Sequence, residues 1–355
     1  MQERNRSYSI LRVIASFGIV LLHTANVSEI LYRDSITPGQ TAFSLGIVYC
    51  MMWAVPCFLM VSGALLLDPA RKITMEKLFS RYVKRVFLAL LLCCVIFRLF
   101  DMLMGGDGFS LMFVPDGVWR MFHGTGWAHL WYLYLLIGLY LMLPFFRMIS
   151  AHSTDRELCY LLAVYAVFLS VLPLFRTIDA EIAFTIQTAG IYPFYFFAGY
   201  VLQTGKLKID RKAAGMLAMI ATVLIIVLTE ARYSGISGNA ASFVDGLIAS
   251  YSSPLIVLQS VGLFAFVCCG SAKKPAESGS SGSVWLAECV DLFDSCGFGI
   301  YLLHMVFLRL FLRYQGWNLF LMGGWSFFVL AVGVFLLTCA LVEVLRRIPY
   351  VKSVL

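Results

Sequence analysis

Along this chain, apolar stretches about as long as a bilayer is thick alternate with short polar segments that are mostly basic. The stretches fall at 8–30, 43–67, 82–104, 128–146, 158–175, 188–203, 213–230, 245–270, 296–312 and 322–345, and each is predicted to be a helix that crosses a membrane. The windows at 158–175 and 188–203 are short, and the second is rich in aromatic residues. Pro56 is expected to kink the second span, and Ser62 and Gly63 near its end are small enough to admit a neighbouring helix. Between the third and fourth spans, residues 105–127 mix Trp119, Phe122 and Trp127 with Asp107, Asp116 and His123, which suits a piece lying in the membrane interface or dipping back into it. Residues 277–283 read as a flexible polar loop, and no internal repeat is visible.

Composition agrees with this pattern. The chain is 61% hydrophobic and 13% charged, with a mean hydropathy of +0.85. A soluble domain carries about 25% charged residues, so this chain cannot clothe a water-facing surface. The predicted fold class is an all-α, polytopic transmembrane bundle of about ten spans, forming a single membrane domain over residues 1–355 with no length left for a soluble domain.

The net charge of +7 does not point to nucleic acid, because Lys and Arg sit in the segments between spans. With the N-terminus placed inside, the inner segments hold Arg71, Lys77, Arg81, Lys84, Arg85, Arg147, Lys206, Arg346 and others, in nearly fourfold excess over the outer ones. That bias requires an even number of spans, both termini cytoplasmic, and the anionic lipid face of the bilayer as partner of the charge. The basic start, Met1 to Arg6, precedes a long span without a small-residue cleavage site and reads as leading into a retained first helix. The ten cysteines lie mostly inside apolar spans with no CxxC pair, so they read as small hydrophobes.

Ionisable residues inside spans are costly and mark candidate chemistry. Arg12 and His23 lie eleven residues apart on the first span, which at 100° per residue is three turns plus about 20°. Both therefore share one face, separated by about 16 Å along the axis. One reading is a shaft with a cation at its mouth for phosphates and a titratable imidazole at its end. The plainer reading is a snorkelling Arg and a His bonded within the bundle. His304 is a second intramembrane histidine, and alone it is most simply a helix-bonded core residue. His129 and Trp131 open the fourth span as either aromatic-belt anchors or contacts to a polar acceptor from outside. Arg81, Lys84 and Arg85 form a basic cluster that is either a topology and lipid signal or a polyanion site beside Arg12. Ser62 is a packing residue by default. Arg98 and Asp101 are spaced to pair on one helix face, and snorkelling accounts for Arg309 and Arg313. GxSxG, HExxH, Walker-type glycine loops and a His/Cys zinc set are all absent from the sequence, so no metal is expected.

The Arg12-x10-His23 pair is followed in order by Val55–Leu66, the basic run Ser80–Val86, His129-Leu-Trp-Tyr-Leu, Tyr192–Tyr200, Phe298–His304 and Arg346-Arg-Ile-Pro-Tyr. This series resembles the acyltransferase-3 family of integral membrane acyltransferases, and most of all its surface polysaccharide O-acetyltransferase branch. The resemblance implies transfer of an acyl group, by default acetyl, from cytoplasmic acyl-CoA to a hydroxyl of an outward-facing envelope acceptor such as a glycan, in a multi-pass protein of the plasma membrane. It also implies His23 as general base or proton relay, and Arg12 at the CoA phosphates with Arg81 and Lys84 nearby. His129, Trp131 and His304 match further recurrent positions of the family. The family often carries an Asp shortly before the Arg, where this chain has Ser9, so a carboxylate partner for Arg12 is missing or supplied elsewhere. Small residues on the span surfaces permit a homodimer. The alternatives are a proton-coupled transporter of a small molecule such as an amino acid, and a non-catalytic scaffold of envelope synthesis.

Overall fold

The computed structural model describes residues 6–105, 109–176, 190–269, 281–352 and 354. Within these the chain is helical and contains no strand. The first helix, α1 (Arg6–Tyr32), is followed by α2 (Pro38–Met51) and α3 (Ala54–Leu66), which together make one broken span. After a wide turn at Leu78–Val83 come α4 (Lys84–Gly105) and α5 (Phe113–His123), then α6 (Trp131–His152) and α7 (Asp155–Ala166), extended by Val167–Val171 and Leu172–Arg176. The chain continues through α8 (Tyr192–Gln203), α9 (Arg211–Ser234), α10 (Gly238–Ile248) and α11 (Pro254–Cys268). It ends with α12 (Ser281–Leu308, running on through Arg309–Tyr314) and α13 (Trp325–Leu345), with single helical turns at Leu319–Met322 and Pro349–Lys352.

Eight of these helical stretches are long and apolar enough to cross a membrane, among the described residues. Their starts follow ordinary capping rules. Thr37 and Gln40 form a capping box at α2, Thr154 and Glu157 form one at α7, and Asp210 accepts from Lys212 N and Ala213 N at α9. From Met216 to Val227 every exposed residue of α9, Met219, Ile220 and Val223 among them, is apolar and suits contact with lipid.

Two predicted spans are shorter than expected. The one placed at 245–270 begins only at Pro254, because residues up to Ile248 belong to α10 and Ser250–Ser253 form a hydrogen-bonded turn. The one at 188–203 is described from α8 onward, a helix of 12 residues that rises about 18 Å. Every residue of α8 from Pro193 to Leu202 is buried by protein. Its anchor is a crossing with α3 at two glycines. A Cβ on Gly63 would lie 1.8 Å from the Phe196 carbonyl oxygen, and one on Gly199 would lie 1.9 Å from that of Met60. The backbones touch there, which only glycine on both helices permits.

The break between α2 and α3 falls at Met52–Trp53, where Pro56 leaves the Met52 carbonyl without its i+4 donor. The piece after α4 folds as α5 against it, so closely that a Cβ on Gly117 would meet Val95 Cα at 2.7 Å, while Trp119 and Phe122 stay exposed. The expected loop at 277–283 is only partly so. Residues 277–280 lie outside the described residues, and Ser281–Ser283 already belong to α12. Helix α12 thus starts well ahead of the predicted 296.

Basic segments gather at one end of the bundle. Arg147 donates to the carbonyls of Leu66, Asp68 and Arg71, Lys206 pairs with Asp155 at 2.5 Å, and Arg85 reaches the Val354 carbonyl at 3.1 Å. We call this the basic side.

Candidate functional site

The site is organised by α1 and α12, which run parallel and pack along small residues. A Cβ on Gly297 would meet Ser16 Oγ at 3.3 Å. Below that contact, on the basic side, Arg12 faces Asp294. Arg12 Nε donates to Oδ1 at 2.7 Å, Nη2 donates to Oδ2 at 2.8 Å, and Ser9 Oγ donates to Oδ2 at 2.8 Å. The Asp294 side chain is 1% exposed and that of Arg12 27%. Above the contact, the His23 and His304 rings face each other with centroids 5.2 Å apart. Sequence spacing explains the match. Arg12, Ile19 and His23 share one face of α1, and Asp294, Phe298, Tyr301 and His304 fall within about a third of the circumference of α12.

His129, in the turn leading into α6, completes the cluster at 6.3 Å from His23 and 5.5 Å from His304. It is not a surface anchor, since it is 1% exposed, its Nε2 lies 3.2 Å from the Leu302 carbonyl, and the Tyr301 hydroxyl donates to its own carbonyl. His304 is 0% exposed, with Nδ1 2.9 Å from the Ile300 carbonyl. His23 is half-buried. Among the described residues no group of His, Cys, Asp or Glu is placed to hold a metal ion.

A cavity of about 1010 Å³ opens on the basic side and leads toward these histidines. At its mouth stand Arg12, Arg81, Lys84 and Arg85, joined by Arg71, Lys77 and Arg346, none of which the sequence reading had assigned to the site. Ser62 lines the wall, its hydroxyl donating to the Phe58 carbonyl at 2.9 Å. The inner end is formed by Ile19, Tyr132 and Tyr301. Ile19 is one turn from His23 on α1, and Tyr301 is in ring contact with both His129 and His304. Trp131 points elsewhere, packing with Tyr192 and Tyr251 at 5.7 and 5.4 Å.

Beyond the histidines, away from the basic side, the bundle is stopped by Trp127. Its ring stacks on Phe97 at 4.1 Å, the Arg309 guanidinium lies 3.9 Å over its centre, and its Nε1 donates to Asp101 at 2.8 Å. Arg309 also pairs with Asp101 at 2.8 Å. Two expectations are corrected here. Arg309 does not snorkel but turns inward, and Asp101 serves Arg309 and Trp127 rather than Arg98. Arg98 instead pairs with Asp116 on α5.

Against the sequence models of known families, residues 5–344 match the acyltransferase domain family resembled above. The chain belongs to the acyltransferase-3 family. As a family member it is a membrane acyltransferase, and the match spans every helix described above except the last residue of α13. Comparison with curated proteins and with solved structures finds no match.

Of the residues that sequence reasoning missed, the one that organises the site is Asp294. It occupies the role sought at position 9, where Ser9 now supplies a hydroxyl to the same carboxylate. The available signal was the spacing of Asp294, Tyr301 and His304, which is helical; the predicted boundary at 296 cut it in two.

Proposed function

We propose that this acyltransferase takes its acyl group from acyl-CoA bound in the basic cavity and delivers it to a hydroxyl presented near His23. The single observation that carries this is the cavity itself, with a strongly basic mouth and an inner end at Ile19, Tyr132 and Tyr301, of which Tyr301 is in ring contact with His129 and His304. The adenosine 3′-phosphate and pyrophosphate of CoA are polyanions that Arg81, Lys84, Arg85 and Arg12 suit, and the narrow pantetheine arm fits a wall of Val55, Phe58, Val61 and Leu136. The thioester then reaches the inner end. His23 accepts the proton of the acceptor hydroxyl as its oxygen attacks the thioester carbon, the carbon–sulfur bond breaks, and the departing thiolate takes up that proton. Acetyl is the acyl group we favour, with a hydroxyl of a cell-envelope glycan as acceptor. The basic side then faces the cytoplasm, where acyl-CoA is made, and the membrane is the plasma membrane.

The test is calorimetric binding of acetyl-CoA to the protein in nanodiscs, with transfer of labelled acetyl followed in parallel. Lys84→Ala and Arg81→Ala are each expected to weaken binding about tenfold, as loss of one charge-assisted contact worth about 1.5 kcal/mol. His23→Ala is expected to bind normally but turn over about 10²–10⁴-fold more slowly. A well-folded wild type that binds no acetyl-CoA, or a His23→Ala protein of undiminished turnover, sinks the proposal.

A further inference from the structure

The two buried histidines carry hydrogen-bond patterns that fix where their protons are. A backbone carbonyl only accepts, so His304 carries hydrogen on Nδ1 toward Ile300, and His129 carries hydrogen on Nε2 toward Leu302. The other nitrogens, His304 Nε2 and His129 Nδ1, are then bare lone pairs. Both are buried and neither has a hydrogen-bond partner among the described residues. A buried acceptor left unmade costs about 1–3 kcal/mol, a poor arrangement for side chains that only fill space. Both lone pairs belong to the cluster that contains His23.

His23 needs such a neighbour. A histidine acting as base is ordinarily steadied by a carboxylate on its second nitrogen. Here Asp101 is engaged by Arg309 and Trp127, Glu29 by Arg33 at 2.8 Å, and Asp294 by Arg12 three turns away. The ring contacts of His23 are with His304 and His129, and His304 is the nearer and the less steeply inclined, at 5.2 Å and 35° against 6.3 Å and 74°.

We propose, resting on the acyltransferase reading above, that His304 is the proton-relay partner of His23. As one nitrogen of His23 takes the proton of the acceptor hydroxyl, the other gives its proton to His304 Nε2. The positive charge is then held by His304, whose Nδ1–H stays bonded to the Ile300 carbonyl. When the carbon–sulfur bond breaks, the proton returns through His23 to the CoA thiolate, and both rings end neutral. The net reaction consumes a hydroxyl and a thioester and yields an ester and a thiol. His304 touches neither substrate and acts through His23.

Two substitutions separate relay from mere orientation. His304→Asn keeps a donor where Nδ1 was and deletes Nε2. His304→Gln places an amide oxygen where Nε2 was, which accepts a hydrogen bond but cannot take a proton. The relay requires both to lose kcat about 100-fold, with acetyl-CoA affinity and the KM for the donor unchanged. It also requires wild-type turnover in H2O/D2O mixtures to curve with deuterium content, as two protons move together. Restoration of near-normal kcat by Gln overturns the relay and makes His304 an orienting residue, as does a linear, one-proton solvent dependence, which is read on the wild type and needs no variant to fold. Should the wild type bind no acetyl-CoA, the acyltransfer reading falls first and the relay with it, a failure distinct from the other two.

Discussion

Cutting the Arg12–Asp294 pair from its two ends is expected to give opposite results for the ligand and unequal results for stability. The reason is the asymmetry of burial, 1% exposure for the carboxylate against 27% for the guanidinium. In Arg12→Ala the anion stays behind, still bonded by Ser9 but stripped of two charge-assisted bonds of 2.7 and 2.8 Å. Breaking a buried pair this way costs about 3–5 kcal/mol. The negative charge left behind without Arg12 also lines the cavity in which we place the phosphates. Acetyl-CoA should therefore bind at least tenfold more weakly, the sum of a lost contact and a new repulsion. In Asp294→Asn the remaining charge is the guanidinium, which already reaches water and so keeps most of its hydration. One of its two bonds now meets an amide N–H and is lost, for about 1.5–3 kcal/mol. The mouth of the cavity gains one positive charge, so affinity for acetyl-CoA should hold or rise. Thermal unfolding in detergent, followed by size-exclusion of the residual folded protein, together with calorimetric acetyl-CoA titration, reads both quantities. If Asp294→Asn were the less stable variant, or if it weakened the ligand as much as Arg12→Ala does, the role assigned to this pair would be wrong.

Gly63→Ala and Gly199→Ala should each abolish the folded peak on size-exclusion, because either Cβ sits under 2 Å from a carbonyl oxygen of the facing helix and α8 is buried all round. Normal expression of either variant would contradict the crossing. Asp116 offers a pH test. Burial works to raise its pKa, but hydrogen bonds from Arg120 and then Arg98 outweigh that and hold it below the ordinary carboxyl value. A depressed pKa contributes stability that is present above the ordinary value and fades as pH falls through the folded one, so wild type and Asp116→Asn should differ in melting temperature at neutral pH and converge in acid. Rising salt should weaken acetyl-CoA binding steeply in wild type and less in Lys84→Ala, since the mouth acts through exposed charge; equal slopes would exclude Lys84 from the contact.

The all-α bundle and the order of its long spans were legible because lipid leaves the chain few options, and apolar runs report it directly. The Arg12–His23 face was legible because it lies on one helix, where periodicity is geometry. What lies between helices was not. Asp294 sits on α12 just outside the apolar window, hidden by the polar run that precedes it. The gathering of His129 and His304 on His23 brings residues from opposite ends of the chain together, and no spacing rule encodes it. Arg98 and Asp101 show the converse, for their i,i+3 spacing is favourable and yet each found a better partner across a helix boundary. The brevity of α8 was foreshadowed by its aromatic content, but that it is tolerated depends on Gly63 and Gly199 meeting face to face.

The basic cavity, which ends at Tyr132 and Tyr301, also has an electrical meaning. A space lined at its mouth by charged residues takes in water and ions, and the potential of the basic-side solution follows them to Tyr132 and Tyr301. The voltage across the membrane, about 2.3 kcal/mol per elementary charge at 100 mV, then falls over the thin remaining septum of histidines, Phe97, Trp127 and the Asp101–Arg309 pair. A polyanion that enters from the basic side and stops short of the septum crosses little of that field. On the function proposed above, the donor would come and go without drawing on the membrane potential, and the septum, not the whole bilayer, would be the insulation that keeps charge separated at this protein.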